Sequence, residues 1–201
     1  MEIKSSNAFV IGDKMNKIKL AMFDLDGTLF DTSMSNFYSY YDAIEQICGH
    51  RIDEEFFLTK CYSRNYRSFL PDLGVSADKI KEVHDLKIKL YSDYLHTIKP
   101  NEKLLYIAEL LKRDGIKLAI VTTGSKVNTE EILSHFGYGL LFDLLVTQET
   151  VSAPKPSPEG YMYAMKYYDA DADECLIFED SDVGVASAIP CKTGLMRILD
   201  F

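Results

Sequence analysis

The sequence predicts an α/β fold: a Rossmann-like parallel sheet core with helices on both faces and an inserted all-helical cap domain. Three observations carry that expectation. From Pro100 onward, short apolar runs alternate with segments of helical period, the pattern of a parallel sheet covered on both faces. The first apolar run, Leu20 to Phe23, is followed instead by a long stretch, 34–97, with helical periods only. The main apolar runs also stop at polar clusters, so polar groups gather where the strands of a parallel sheet end.

Residues 1 to about 16 show no clear period and are expected to be an extension, with a short strand at Phe9 to Ile11. Strand one is expected over Ile18 to Phe23. Asp24 and Asp26 follow at i and i+2, and Gly27 then lets the backbone turn sharply. Phe37, Tyr40, Tyr41, Ile44, Ile47 and Cys48 form one helical stripe, closed by Gly49 as a C-cap. Asp53 is placed to cap a helix carrying Phe56 and Phe57. A short element ends before Pro71, and Gly74 marks a turn. Ser76 is read as the cap of a long helix reaching Leu95, with Ile80, Val83, Tyr91, Tyr94 and Leu95 on one side. Beyond Pro100 the sequence predicts helix 101–113, strand Leu118 to Val121, helix 127–136 and strand Leu144 to Thr147. A proline-rich turn, Pro154 to Pro158, precedes a helix bearing Tyr161, Met165 and Tyr168. Strand Cys175 to Phe178, a short helix ending at Pro190 and a last strand, Leu195 to Leu199, complete the chain. Residues 1–33 and 98–201 are therefore expected to form the core and 34–97 the cap.

The 201 residues are 47% hydrophobic and 26% charged, enough apolar material for a real core. A net charge of −9 argues against sequence-independent nucleic-acid binding and against an anionic membrane surface, both of which need a basic excess. Cys48, Cys61, Cys175 and Cys191 lack metal-site spacing, and His50, His84, His96 and His135 are scattered; the cysteines read as buried or free thiols. No apolar run approaches a membrane span, and Ala8 to Ile11 is too short for a signal peptide. A cytoplasmic monomer is expected.

Four strand ends carry the candidate chemistry. Strand one gives Asp24 and Asp26, strand two Thr122 and Thr123, the loop after strand three Lys155, and strand four Glu179 and Asp180. Each also has an ordinary reading alone: threonines as turn formers, Lys155 as a solvated loop lysine, Glu179-Asp180-Ser181 as a helix N-cap. Their occurrence in order, each after its own strand, is what is specific. Two carboxylates 4 Å apart repel by roughly 4 kcal/mol at an effective dielectric of 20. Such a cluster calls for a divalent cation, and oxygen-only ligands favour Mg²⁺.

Asp24-Leu25-Asp26-Gly27-Thr28, the strand ending at Thr122, Lys155 among prolines, and Glu179-Asp180-Ser181 with Gly184 together resemble the four motifs of the haloacid dehalogenase-like hydrolases. The helical block between the first two motifs is similar to that of the family's smaller-cap subclass, which includes phosphoglycolate phosphatase and β-phosphoglucomutase. The resemblance implies Asp24 as nucleophile and Asp26 as general acid and base. It implies Mg²⁺ on Asp24, Asp180 and the Asp26 backbone carbonyl, with Glu179 direct or through water. It implies that Lys155, the Thr122 hydroxyl and the Thr123 amide hold the phosphoryl oxygens. Asp26 favours phosphoryl transfer over dehalogenation, which lacks this acid. The implied function is a Mg²⁺-dependent phosphatase of a small phosphorylated metabolite, with a β-phosphoglucomutase-like phosphomutase as the alternative. Asn36 stands where the mutases carry a cap histidine, a departure that lowers the mutase reading. Lys60, Arg64 and Arg67 read either as a solvated helical face or as cations for a second anionic group, with Arg64 the candidate ligand. Asp31 reads as a turn or hinge residue, and Asp182 as the cap of the last helix.

Overall fold

A computed structural model describes residues 18–199. The expected extension and its strand at Phe9 to Ile11 lie outside the described residues. The chain runs through β1 (Leu20–Phe23) and β2 (Phe30–Asp31) into a helical block. That block comprises helix Ser33–Cys48, a turn of helix Glu54–Phe56 continuing as a π-helical segment Phe57–Cys61, helix Tyr66–Phe69, helix Ile80–Leu90 and a 3₁₀ segment Tyr91–Thr97. β3 (Lys99–Pro100) leaves it. Then follow helix Glu102–Arg113, β4 (Lys117–Val121), helix Lys126–His135, β5 (Leu144–Val146), helix Glu159–Tyr167, β6 (Cys175–Glu179), helix Asp182–Ala188 and β7 (Gly194–Arg197).

Five strands form one parallel sheet in the order β5-β4-β1-β6-β7. β1 is central, pairing Phe23 with Ile120 on one side and with Phe178 on the other. Its four residues are wholly buried, as a strand covered on both faces must be. Alternation then divides the core. Ala21, Phe23, Leu118 and Ile120 pack with Leu105, Ala108 and Ile132 on one face; Leu20, Met22, Ala119 and Val121 pack with Tyr161, Ala164 and Ala188 on the other. The helical block has a buried cluster of its own, built on Phe37, Tyr40, Ile44, Phe57, Phe69, Leu70 and Val83.

Local chemistry sets most boundaries where the sequence puts them. Asp53, Asn101, Ser125 and Ser181 each accept a hydrogen bond from a backbone N–H in the first turn of the helix that follows. Gly49 closes the first long helix in the left-handed conformation. Three expectations need correction. Ser76 does not cap a helix: its carbonyl accepts from Lys79 N–H in a turn, and the helix starts at Ile80. That helix does not run unbroken to Leu95 but tightens into the 3₁₀ segment at Tyr91. The tighter winding lines up residues three apart. Tyr91 thus meets Ser35, and Tyr94 meets Asp42 and stacks on Tyr38. Asp182 is not the last cap, a role Ser181 takes; Asp182 instead pairs with Arg197.

The two-residue strands β2 and β3, too short to give a sequence period, pair antiparallel with Phe30 opposite Pro100 and Asp31 opposite Lys99. They join the helical block to the sheet. Asp31 fixes the start of the block, accepting from the backbone and hydroxyl of Ser33.

Candidate active site

The site forms where β1, β4 and β6 end. Asp24 leaves β1 with its N–H donated to the Phe178 carbonyl of β6, and Thr122 leaves β4 with its N–H donated to Val146 of β5. β6 delivers Glu179 fully buried. One carboxylate oxygen from each of Asp24, Glu179 and Asp180 lies within 4.8 Å of the other two. Lys155 reaches in from the proline-rich loop and donates to both Asp24 Oδ1 and Glu179 Oε1, each at 2.5 Å. Tyr161 donates to Glu179 Oε1 at 2.9 Å, and Thr28 to Asp180 Oδ1 at 2.8 Å. The other Glu179 oxygen takes the backbone N–H groups of Asp180 and Ser181. Glu179 is thus nearly saturated, whereas among the described residues no side chain donates to Oδ2 of Asp24 or of Asp180.

Two glycines allow this crowding. Gly27 adopts φ +88°, and a Cβ on it would lie 2.4 Å from Asp180 Oδ2. A Cβ on Gly184 would lie 1.9 Å from the Glu179 carboxylate.

Three carboxylates against one ammonium leave the cluster over-negative. Burial first, then Glu179, Asp180 and Asp26, hold Asp24 well above the usual carboxylate range against the pull of Lys155. Burial and Glu179 also raise Asp180, although the Thr28 hydrogen bond opposes them. Burial works against the charge on Lys155, but Asp24, Tyr161 and Glu179 outweigh it and hold the ammonium well above its ordinary value. A compact, oxygen-only, over-negative cluster with two unshared carboxylate oxygens fits a hard divalent cation.

Asp26 turns away from this cluster toward the helical block. One of its oxygens accepts from Thr32 and, at 3.4 Å, from Asn36; the other accepts from Thr122 at 3.1 Å. It opens on a cleft between the helical block and the sheet that Thr123, half-buried, also lines. Arg64 lines the same cleft, but its guanidinium donates to the Lys60 and Ser68 carbonyls and to Asp72. Arg67 stacks on Tyr66, 4.5 Å from the ring centroid. Six of the expected residues thus come together on the sheet edge, Asp24, Asp26, Thr122, Lys155, Glu179 and Asp180. Thr123 stands beside them, and Arg64 is engaged by its own helical block.

A sequence model of the haloacid dehalogenase-like hydrolases matches residues 21–196. The chain belongs to that family. Among curated relatives, a pyrophosphatase PpaX of Bacillus velezensis is 29% identical over 82% of this chain and 76% of its own. A phosphorylated carbohydrates phosphatase of Thermotoga maritima is 29% identical over 90% and 84%. A phosphoglycolate phosphatase of Aquifex aeolicus is 28% identical over 84% and 78%. Of solved structures, CbbY from Rhodobacter sphaeroides in complex with phosphate superposes with a TM-score of 0.81 at 23% identity. That superposition covers 92% of this chain and 87% of CbbY, a likeness of fold.

In this haloacid dehalogenase-like hydrolase several contributors escaped the sequence reading. Thr28, read only as part of the first motif, and Tyr161, read only as one of a helical series with Met165 and Tyr168, position Asp180 and Glu179 through hydroxyl groups. Thr32, just before the first long helix, holds Asp26, and so does Asn36, which the sequence singles out only for its departure from the mutases. Lys87 did leave a signal. It lies four residues after Val83 and four before Tyr91, a cation on an otherwise buried helical stripe. It is 7% exposed and lines the cleft with Asp26.

Proposed function

We propose that this hydrolase is a Mg²⁺-dependent phosphatase of a small phosphorylated metabolite, working through an aspartyl-phosphate on Asp24. The observation that carries the reading is the meeting of one carboxylate oxygen each from Asp24, Glu179 and Asp180 within 4.8 Å, with Lys155 bridging the first two, and with Asp26, two residues from Asp24, lining a cleft. The relatives described as phosphatases support it.

A carboxylate oxygen of Asp24 attacks phosphorus as the bond to the leaving oxygen breaks, and Asp26 gives that oxygen a proton. Asp26 then takes a proton from the water that attacks the acyl phosphate, releasing inorganic phosphate and restoring Asp24. Lys155, the Thr122 hydroxyl and the Thr123 amide hold the phosphoryl oxygens as their charge redistributes. Thr122 serves this by turning its hydroxyl from Asp26 to the phosphoryl group. Asp24, Asp180 and the Asp26 carbonyl would hold Mg²⁺, with the saturated Glu179 behind them. When bound, the ion supplies charge neutralisation to the cluster and to the phosphoryl oxygens. Residues 34–97 act as the cap over residues 18–33 and 98–199. Asn36, an amide that cannot relay a proton, touches Asp26 where a mutase would carry histidine, which supports hydrolysis over phosphomutation.

The test is phosphate release from an aryl phosphate with Mg²⁺. The wild-type protein is expected to turn over, to stop on chelation and to resume on adding Mg²⁺. Asp24→Asn is expected to lose on the order of 10⁴-fold or more, and Asp26→Asn on the order of 10²- to 10⁴-fold. Undiminished activity in Asp24→Asn would contradict the assignment.

A further inference from the structure

The hydroxyl of Thr32 donates to Asp26 Oδ1, and a tyrosine of the helical block fixes it in that direction. A hydroxyl has one proton and two lone pairs, so with its proton on Asp26 Thr32 can only accept from other groups. Tyr62 Oη lies 3.0 Å from Thr32 Oγ1, and in this arrangement the tyrosine is the donor. Asn36 Nδ2 lies 3.1 Å from the same oxygen, but also 3.0 Å from the Thr32 carbonyl and 3.4 Å from Asp26 Oδ1. The amide thus divides two protons among three acceptors, whereas Tyr62 has one proton and, among the described residues, this one acceptor.

Tyr62 reaches Thr32 through a local irregularity of the backbone. It follows the π-helical segment Phe57–Cys61, and its N–H closes that wide turn on the Phe57 carbonyl. Ser63, directly after it, takes φ +66°, a conformation that L side chains seldom adopt. A π turn followed by a left-handed serine is costly by itself and persists where the surroundings over-determine it. The ring placed this way lines the cleft together with Asp26. Burial first, and then Asp26, hold the Tyr62 hydroxyl well above its ordinary value, so it keeps the proton that it donates.

We infer that Tyr62 is a positioning residue for Asp26 and acts through Thr32: its hydroxyl holds the Thr32 proton on Asp26 Oδ1 and so leaves Oδ2 to serve the leaving oxygen. Oδ1 is taken by donors, and Oδ2 is the oxygen on the Thr122 side, where the phosphoryl group is held. The proton therefore passes from Asp26 Oδ2 to the leaving oxygen as the bond from phosphorus to that oxygen breaks and the bond to Asp24 forms. Tyr62 and Thr32 keep their own protons throughout. The inference rests on the phosphatase reading and adds a group of the helical block to its acid–base step.

The test is the dependence on the leaving group. Phenyl phosphate expels a basic oxygen that needs a proton, whereas 2,4-dinitrophenyl phosphate expels one that departs without it. With Mg²⁺ present, kcat/KM follows each ester through the step in which Asp26 acts as acid. Tyr62→Phe keeps the ring and removes only the hydroxyl. It is expected to lower kcat/KM roughly 10-fold for phenyl phosphate and less than about threefold for the dinitrophenyl ester. Thr32→Val is expected to show the same selective loss, and Thr32→Ser, which keeps a hydroxyl, to recover most of it. Adding Tyr62→Phe to Thr32→Val is expected to cost nothing further, because the route is already cut. If Thr32→Val does not fold, the selectivity of Tyr62→Phe decides alone. Equal losses on the two esters, no loss in Tyr62→Phe, or losses that multiply in the double variant would overturn the inference and leave the phosphatase reading standing. A wild-type protein that releases phosphate from neither ester contradicts that reading, and the inference falls with it.

Discussion

At the scale of the residue, the site concentrates charge that folding alone does not favour. Lys155 between Asp24 and Glu179 is a buried triad in which each ion needs the others. Lys87 is the sharper case, because among the described residues it has no such partner. Its fall from 10.5 to about 8 corresponds to a cost of roughly 3 kcal/mol at neutral pH. The protonated lysine is disfavoured in the folded state, so its stabilising contribution is full above 10.5 and is lost as pH falls through 8. Lys87→Met is therefore expected to raise stability by about 1–3 kcal/mol at pH 7 in urea denaturation. That advantage is expected to narrow as pH rises from 8 toward 10.5. A less stable Lys87→Met protein would show that the lysine serves packing. The acids and Lys155 were legible in the sequence because each follows its own strand. Thr28, Thr32 and Tyr161 were not, since a hydroxyl that orients a carboxylate looks like any other threonine or tyrosine until the chain is folded.

At the scale of the element, strand ends and helix starts share the work. Helix Asp182–Ala188 begins one residue after its Ser181 cap, directly beyond the acidic pair, and Gly184 in its first turn lies against the Glu179 carboxylate. Gly184→Ala is expected to force the helix and Glu179 apart, loosening Lys155. The expected result is a lowered melting temperature together with at least a tenfold loss of phosphate release. Wild-type behaviour in both would mean that Glu179 has room to move. The sheet strands were readable because continuous apolar runs mark strands buried on both sides. The helical block was less so. The π-helical segment Phe57–Cys61 and the 3₁₀ segment Tyr91–Thr97 answer to tertiary contacts, such as Tyr91 with Ser35, that no local period encodes. β2 and β3 owe their pairing to the crossing of two distant segments.

At the scale of the whole molecule, two packed bodies meet over one cleft, joined through the β2–β3 ribbon. Cross-contacts are apolar at Tyr91 and Leu95, which pack into the cluster on one face of the sheet, and polar elsewhere: Tyr62 with Thr32, Asn128 with the Ile88 carbonyl, Gln148 with His84. The fold class and the sites at the strand ends were visible in the sequence because parallel topology alone carries strand ends to one edge. The chemistry of the cleft was not, because it depends on which cap residues face the sheet. The central claim is that Asp24 becomes phosphorylated beside Asp180. It is tested most directly by acid-quenching the protein with a radiolabelled phosphate ester and Mg²⁺, then mapping the label by peptide. The account predicts a hydroxylamine-labile label on the peptide containing Asp24, absent in Asp24→Asn and sharply reduced in Asp180→Asn. Label on another residue, or full turnover with Asp24 never labelled, would contradict it.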